Sequence, residues 1–245
     1  MPGSLLSAKL VKTDQLSANT LQLSFEFVQD DRASFNFIAG QFVQLQLEID
    51  GALHKRSYSI ANSADHFKTS GQLQVALSLV SGGVASGFFR KAPPGFQLNI
   101  AGPFGALTLL ENFPGQLVLV GTGTGISPYR SMIPQLKALT DKGTSVTVFK
   151  GFRYREESIY SEDFAQLSNL KFRTCLSRES NVNPANHEYV GHVQDQFDAL
   201  NLNPEKDVVY LCGNPGMIDD CVILLRDKGL SPRQIKREKY VYSGH

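Results

Sequence analysis

The stretch "QLVLVGTGTGISP", Gln116–Pro128, decides how the rest of the chain is read. Its opening, Gln116 to Gly121, is a compact apolar run, the pattern of a strand buried on both faces. Gly121, Gly123 and Gly125, with Thr122 and Thr124 between them, then allow a tight turn and a close approach of backbone to a phosphate. Ser127 and Pro128 read as the cap and first residue of a helix, whose N-terminus presents unpaired N–H groups and a positive dipole end to an anion. Strand, glycine turn and helix in that order form the context of a nucleotide-binding turn. A plain tight βα connection is the alternative.

Downstream of this turn the alternation continues. "TSVTVFKG", "KFRTCLS" and "DVVYLCG" read as strands, and "SIYSEDFAQLS", "HVQDQFDAL" and "PGMIDDCVILLRDKG" as helices. That order means a parallel sheet with helices on both faces. Pro134 should kink or split the helix that begins at Ser127. The glycine spacing is G-x-G-x-G rather than G-x-G-x-x-G, and no acidic residue ends the second strand, where a ribose-binding carboxylate would sit. Arg153 and Arg155 follow that strand instead, and the third strand ends in Ser177 and Arg178. Guanidinium forks suit a phosphate monoester, which favours NADPH over NADH; solvated loop arginines are the alternative. Cys212 closes the last of these strands, at the carboxyl end where open α/β sheets bind ligands. A buried structural cysteine is the competing reading.

Upstream the rhythm changes to period two. In "QFVQLQLEI", Val43, Leu45, Leu47 and Ile49 share one face, and Gln44, Gln46 and Glu48 the other. "NTLQLSFEF" and "GQLQVALSLV" alternate likewise, with Gly51, Gly71 and Pro93–Gly95 as turns. Short strands at this spacing predict an antiparallel barrel or sandwich, with one short helix from about Ala85 to Arg90. The boundary falls near "ENFPG", Glu111–Gly115, giving domains 1–111 and 112–245. Within the first half, "HKRSYSIAN", His54–Asn62, is unusual: Arg56 and Tyr58 share one strand face and Ser59 points away. A cation, an aromatic plate and a hydroxyl stand where a strand serving only a core would be apolar.

Bulk composition narrows the classes. With 245 residues, 42% of them apolar, the chain holds one large or two ordinary domains with a real core. Net charge is +1, and the halves are each balanced, eight basic against eight acidic residues over 1–111 and sixteen against fifteen over 112–245. Nothing biases the chain toward nucleic acid or acidic membranes. Cys175, Cys212 and Cys221 form no C-x-x-C pair, so no zinc or iron–sulfur ligand set is expected, and no metal. The odd cysteine count, the start without an apolar signal core, and the lack of any run of about 18 apolar residues predict a cytoplasmic protein that spans no membrane.

Four segments in chain order carry a resemblance to the ferredoxin–NADP⁺ reductase superfamily, over nearly the whole chain. "RSYS" is similar to the flavin motif R-x-Y-S/T, and "GGVASGFF" to the second flavin motif, a glycine-bearing turn entering a helix at Ser or Thr. "GTGTGISP" is similar to the pyridine-nucleotide motif G-T-G-T-G-I-A-P, with Ser127 in place of Ala. "CGNPGMIDD" is similar to the nicotinamide-side motif C-G-N-P-x-M. The resemblance implies two domains, a six-stranded antiparallel β-barrel for FAD followed by an α/β parallel-sheet domain for NADP(H). It implies that Arg56 neutralises the flavin pyrophosphate, Tyr58 lies against the isoalloxazine ring and Ser59 donates toward flavin N5. Leu79, Val80, Gly83, Val84 and Ala85 would border the flavin, and Ser86 would receive a second pyrophosphate contact. The dinucleotide would rest its pyrophosphate on Gly121, Thr122, Gly123, Thr124 and Gly125, and its 2′-phosphate near Arg153, Ser177 and Arg178. Gly213, Asn214 and Met217 belong to the nicotinamide side.

Cys212 and Ser59 would frame the reacting pair, nicotinamide C4 and flavin N5. Glu238 would relay a proton or orient Cys212 and Ser59, with a salt bridge to Lys236 or Lys239 as the alternative. Tyr240 would stack over the flavin; Tyr242 competes for that place, and edge-strand packing is a further alternative. The activity implied is FAD-dependent electron transfer between NADPH and a one-electron carrier such as ferredoxin or flavodoxin, by a monomer. Two rivals remain: an NAD(P)H-dependent flavin reductase or oxygenase reductase component, and a non-catalytic nucleotide-binding regulatory protein on the same fold. The sequence holds no C-x₄-C-x₂-C motif, so no plant-type ferredoxin module is fused within it.

Overall fold

The computed structural model describes residues 4–28 and 35–240. The chain divides into two compact units, one taking in the chain up to Leu109 together with Ser127–Met132, the other Leu110–Ile126 together with the chain from Ile133 onward.

The first unit is built on β1 (Ser4–Ser17), β2 (Thr20–Phe27), β3 (Phe42–Ile49), β4 (Ala52–Ser59), β5 (Gln72–Ser78) and β6 (Gln97–Phe104), in the order β4-β3-β6-β1-β2-β5. Every neighbouring pair is antiparallel. The two ends of the sheet meet where Ile60 bridges Val75 and the Ala61 N–H donates to Gln74 O at 2.8 Å, which closes the barrel. The alternation of β3 becomes burial: Val43, Leu45 and Leu47 are sealed in a core with Leu10, Leu23, Phe25, Val75 and Ile100. Asp50 and Gly51 turn β3 into β4 with φ of 51° and 75°, the two-residue hairpin whose twist matches its strands.

Among the described residues, two short helices punctuate this barrel. The first, α1 (Ala64–Ser70), begins where Ser63 Oγ accepts from His66 N at 3.1 Å and ends at Gly71 in the left-handed conformation. It is too short to show a periodic apolar face in the sequence. The second, α2 (Val84–Phe89), is the short helix expected near Ala85. A third, α3 (Ser127–Ser131), also belongs to this unit. Arg130 Nη1 donates to Ala61 O and Gln74 Oε1, both at 3.1 Å, and Ser131 Oγ to Asn62 O at 2.9 Å.

The second unit holds β7 (Leu117–Thr122), β8 (Val146–Phe152), β9 (Leu170–Leu176), β10 (Glu188–Val190), β11 (Val208–Gly213) and β12 (Ile235–Lys239). Their order is β10-β9-β8-β7-β11-β12, and all pairs are parallel. The helices are α4 (Ile133–Asp141), α5 (Ser161–Ala165) and α6 (Pro215–Asp227). The helix expected from Ser127 onward is split at Met132, and Pro134 sits in the first turn of α4, where its missing N–H leaves no bond unmade. "HVQDQFDAL" forms a 3-10 turn, Val193–Ala199, rather than an α-helix. Strand order reverses between β7 and β11, so this is the switch point where such sheets bind ligands at their carboxyl ends. No helix of the described residues is long and apolar enough to cross a membrane.

Candidate functional site

In the first unit, β4 pairs Arg56 with Leu45 and Tyr58 with Val43. Directly opposed residues point to the same side, so Arg56 and Tyr58 continue the core-facing row of β3. They are only half-buried because β4 ends the sheet along Ala52–Ser59, with β3 as its one neighbour. Burial raises the Tyr58 phenol far above its ordinary pKa, against a smaller opposing pull from Arg56, so the ring carries a proton and no charge. The Arg56 guanidinium donates to Lys55 O at 2.8 Å, its one hydrogen bond among the described residues, from a group with five donors. Ser59 stands opposite Phe42, on the other face, and is buried.

Beyond β5 the chain turns sharply into α2. Val80 N donates to Ser86 Oγ at 2.9 Å, and that hydroxyl donates back to Ser78 O at 3.4 Å. The Ser86 hydroxyl is therefore spent on the turn. What α2 presents outward is its N-terminal backbone, since Gly83 caps it without a side-chain bond. A β-carbon on Gly83 would stand 3.2 Å from both Ser86 Oγ and Val80 O, so glycine keeps the turn compact. Val80 and Val84 are exposed, Leu79 is half-buried and Ala85 is packed inside. A cavity of about 770 Å³ opens between Ile49 and Asp50 on one side and Leu79 to Val84 on the other, with Arg90 at its border. That volume suits a cofactor-sized ligand. The lining of this cavity includes neither Arg56 nor Tyr58; those two side chains and the open helix start of α2 are of the kind a flavin dinucleotide requires.

In the second unit the glycine turn works through backbone. Gly121 pairs with Cys212 across β7 and β11, and Gly123–Ile126 forms a 3-10 turn. A β-carbon on Gly125 would collide with Cys212 O and lie 2.7 Å from Gly213 Cα. Gly213 has φ +121°, and a β-carbon there would meet Thr122 Oγ1 at 2.7 Å. Thr122 Oγ1 accepts from Asn214 N at 3.0 Å, and Asn214 Oδ1 caps α6 by accepting from Met217 N at 3.2 Å. Met217 is buried, its sulfur 3.6 Å from that of Cys221. The Ser127 hydroxyl, expected to cap a helix, is buried without a hydrogen bond.

Cys212 is fully buried, in register with Gly121 and with Glu238. Burial first, then the nearby Glu238 charge, push its thiol well above the ordinary range, against a hydrogen bond from Tyr240. It is a protonated thiol, without nucleophilic character. Burial also lifts the Glu238 carboxyl to about 7. Lys239 pairs with Asp219 at 2.6 Å rather than with Glu238. Tyr240 extends the ladder, its N–H donating to Gly213 O and its hydroxyl to Thr124 O, both at 3.0 Å. Tyr242 lies outside the described residues.

At the carboxyl ends of β8 and β9, Ser177 N donates to Phe152 O at 3.0 Å and Arg178 N to Arg153 O at 2.9 Å. Arg153, Ser177 and Arg178 are thus brought together. Both arginines are exposed, and neither enters an ion pair among the described residues. Arg155 is different: its Nε and Nη2 donate to Glu188 at 2.7 and 2.8 Å. Sequence spacing held no sign of that pair, because Glu188 lies far along the chain. It held none for Lys150 either, which is fully buried with Nζ 2.5 Å from Ser161 Oγ and, through desolvation, a pKa lowered to about 8.

A family model for the oxidoreductase FAD-binding domain matches residues 7–109, and one for the oxidoreductase NAD-binding domain matches residues 119–222. The ferredoxin–NADP reductase B of Sorangium cellulosum is 31% identical over 244 residues, covering 95% of this chain and 96% of that protein. The phenol 2-monooxygenase reductase component DmpP of a Pseudomonas species is 32% identical over 214 residues, 83% of this chain but only 58% of that longer protein. Among solved structures, the reductase GcoB of Amycolatopsis superposes with a TM-score of 0.84 at 27% identity, covering 98% of this chain and 71% of that one. A ferredoxin NADP⁺ reductase of Neisseria gonorrhoeae shares the fold, with a TM-score of 0.81 at 24% identity and coverage of 96% and 98%.

Proposed function

The chain belongs to the ferredoxin–NADP⁺ reductase superfamily, and from that premise we propose that it passes electrons between NADPH and a one-electron carrier such as ferredoxin or flavodoxin. It is an NAD(P)H-dependent flavin oxidoreductase of that family. FAD, when bound, supplies a centre that accepts a hydride and releases electrons singly or in pairs. The residues of this chain bind and orient. Arg56 meets the pyrophosphate, Tyr58 lies flat against the ring system, and the backbone of Gly83 to Ser86 faces the second phosphate. Ser59 holds a hydrogen bond toward the reducible nitrogen. Gly121 to Gly125, Gly213 and Asn214 shape the dinucleotide turn, and Arg153, Ser177 and Arg178 receive the 2′-phosphate. Glu238, with a pKa near that of a neutral solution, holds or releases a proton beside Cys212.

The observation that carries this reading is the placement of Arg56 beside Tyr58 on the core-facing row of an edge strand: Tyr58 packs against the barrel core, but packing alone would not want the cation next to it. Purified protein loaded with FAD should be yellow and should bleach on anaerobic addition of NADPH. Titrating ferredoxin, flavodoxin and free flavin against NADPH oxidation identifies the acceptor. A second reading, the reductase component of an oxygenase, is supported by the likeness to the phenol 2-monooxygenase component. It predicts NADH as the better donor, whereas the pair Arg153 and Arg178 supports NADPH.

A further inference from the structure

We propose that Arg155, acting through Glu188, is a positioning residue that sets the preference for NADPH over NADH by fixing the two loops that carry Arg153 and Arg178. This rests on the reading of Arg153 and Arg178 as the phosphate-facing pair.

The two loops leave adjacent parallel strands at the same end of the sheet and stay joined through backbone at their start, Arg178 N, one residue past Ser177, donating to Arg153 O at 2.9 Å. Each loop thus carries an arginine at this junction. Neighbouring like charges on loops repel, and a pair left to itself would splay toward solvent. Arg155 opposes this from within the first loop. Its guanidinium forks onto both Glu188 oxygens at 2.7 and 2.8 Å and also donates to Asn181 O at 2.7 Å. Its own N–H donates to Glu179 Oε1 at 3.0 Å. Every one of these partners lies on the second loop or on β10, which that loop reaches.

Glu188 is itself held. It is buried, and the oxygen that receives Nη2 also accepts from Asn183 N at 2.8 Å. A forked guanidinium on a buried, backbone-bonded carboxylate is rigid in a way a point-charge lysine would not be. The same commitment removes Arg155 from the set of phosphate ligands, because the carboxylate beside it repels an incoming dianion. The labour is divided: Arg153 and Arg178, which enter no ion pair among the described residues, meet the ligand, and Arg155 holds them in register. Misplacing such a pair by about an ångström costs recognition of the phosphate while leaving the rest of the dinucleotide its contacts.

The test uses the FAD-loaded full chain. Steady-state kinetics with NADPH and NADH are compared for wild type, Arg155→Ala, Arg155→Lys and the charge-swapped double variant Arg155→Glu/Glu188→Arg. Calorimetry with 2′-phospho-AMP and with AMP gives a readout independent of turnover. The expected result for Arg155→Ala is a KM for NADPH that rises roughly tenfold more than the KM for NADH, with a matching loss of 2′-phospho-AMP affinity and little loss for AMP. Arg155→Lys, which keeps the charge and the fold but not the fork, should show the same bias in smaller measure, and the double swap should recover part of it. Equal shifts for both dinucleotides, or no shift in either, overturn the inference. If wild type itself fails to distinguish 2′-phospho-AMP from AMP, the phosphate reading of Arg153 and Arg178 falls first, and the role given to Arg155 falls with it.

Discussion

The flavin-side strand β4 and the glycine turn after β7 carry motifs of similar length, yet they are built on opposite plans. On β4 the motif is side chains: Arg56 and Tyr58 stand at a sheet edge, half-buried, with most of the guanidinium's donors unspent. At the turn it is backbone: Gly125 lies against Cys212 and Gly213, and Thr122, Thr124 and Asn214 spend polar groups on one another or on Tyr240. The first arrangement keeps binding groups in reserve at little cost to the fold. The second uses the fold itself to make room for a ligand. Substitutions should therefore separate binding from stability on β4 and fail to separate them at the turn.

The largest effect is expected at Gly213→Ala. The new β-carbon would meet Thr122 at 2.7 Å in a backbone conformation, φ +121°, that suits glycine alone. A loss of about 3 kcal/mol in a urea titration, with dinucleotide binding falling alongside, would uphold the contrast. Arg56→Ala comes next. Losing a charge-assisted contact to a diphosphate costs about 2 kcal/mol, a roughly thirtyfold weaker hold on FAD by fluorescence titration. The apoprotein's stability should move by no more than about 0.5 kcal/mol. An Arg56 variant that unfolds, or a Gly213 variant that folds normally but binds nothing, would break the comparison.

Smaller effects sharpen it through pH. Lys150 is a buried ammonium with a lowered pKa, so the folded chain releases its proton at about 8, before the unfolded chain does at its ordinary value of 10.5. Between those values the unfolded state binds more protons, and stability rises with pH. Lys150→Met should abolish that rise and add about 1 kcal/mol at neutral pH, measured by chemical denaturation. Glu238 runs the other way. Its folded pKa is raised from 4.5 to about 7, so the folded state holds the proton longer and stability falls as pH climbs across that window. Glu238→Gln should flatten the fall, and it should also shift the pH profile of flavin reduction if the carboxyl holds a proton for the reaction.

Much of this was legible in the sequence, for physical reasons that differ by residue. The alternation of Val43, Leu45, Leu47 maps onto a buried row because a half-covered strand obeys period two. The compact run at Leu117–Val120 maps onto a central parallel strand for the complementary reason. Helix α1 escaped because its signal is a Ser63 cap and a Gly71 stop around a very short segment rather than a periodic face. Strands β10 and β12 escaped because short, charged edge strands carry little pattern. At the candidate sites, residue types were readable and their commitments were not. That Ser86 would staple its own turn, that Lys239 would choose Asp219, and that Arg155 would lock onto Glu188 depend on neighbours that only folding supplies.

The most direct test is anaerobic mixing of NADPH with the FAD-loaded chain, followed by its visible absorbance, for wild type and Arg56→Ala at equal flavin occupancy. The account predicts that the wild-type flavin bleaches and then recovers its colour when an oxidised one-electron carrier is added. It predicts that Arg56→Ala needs far more FAD to reach that occupancy and then bleaches in the same way. Wild-type protein that takes up no FAD, or whose bound flavin keeps its colour in excess NADPH and NADH, would contradict it.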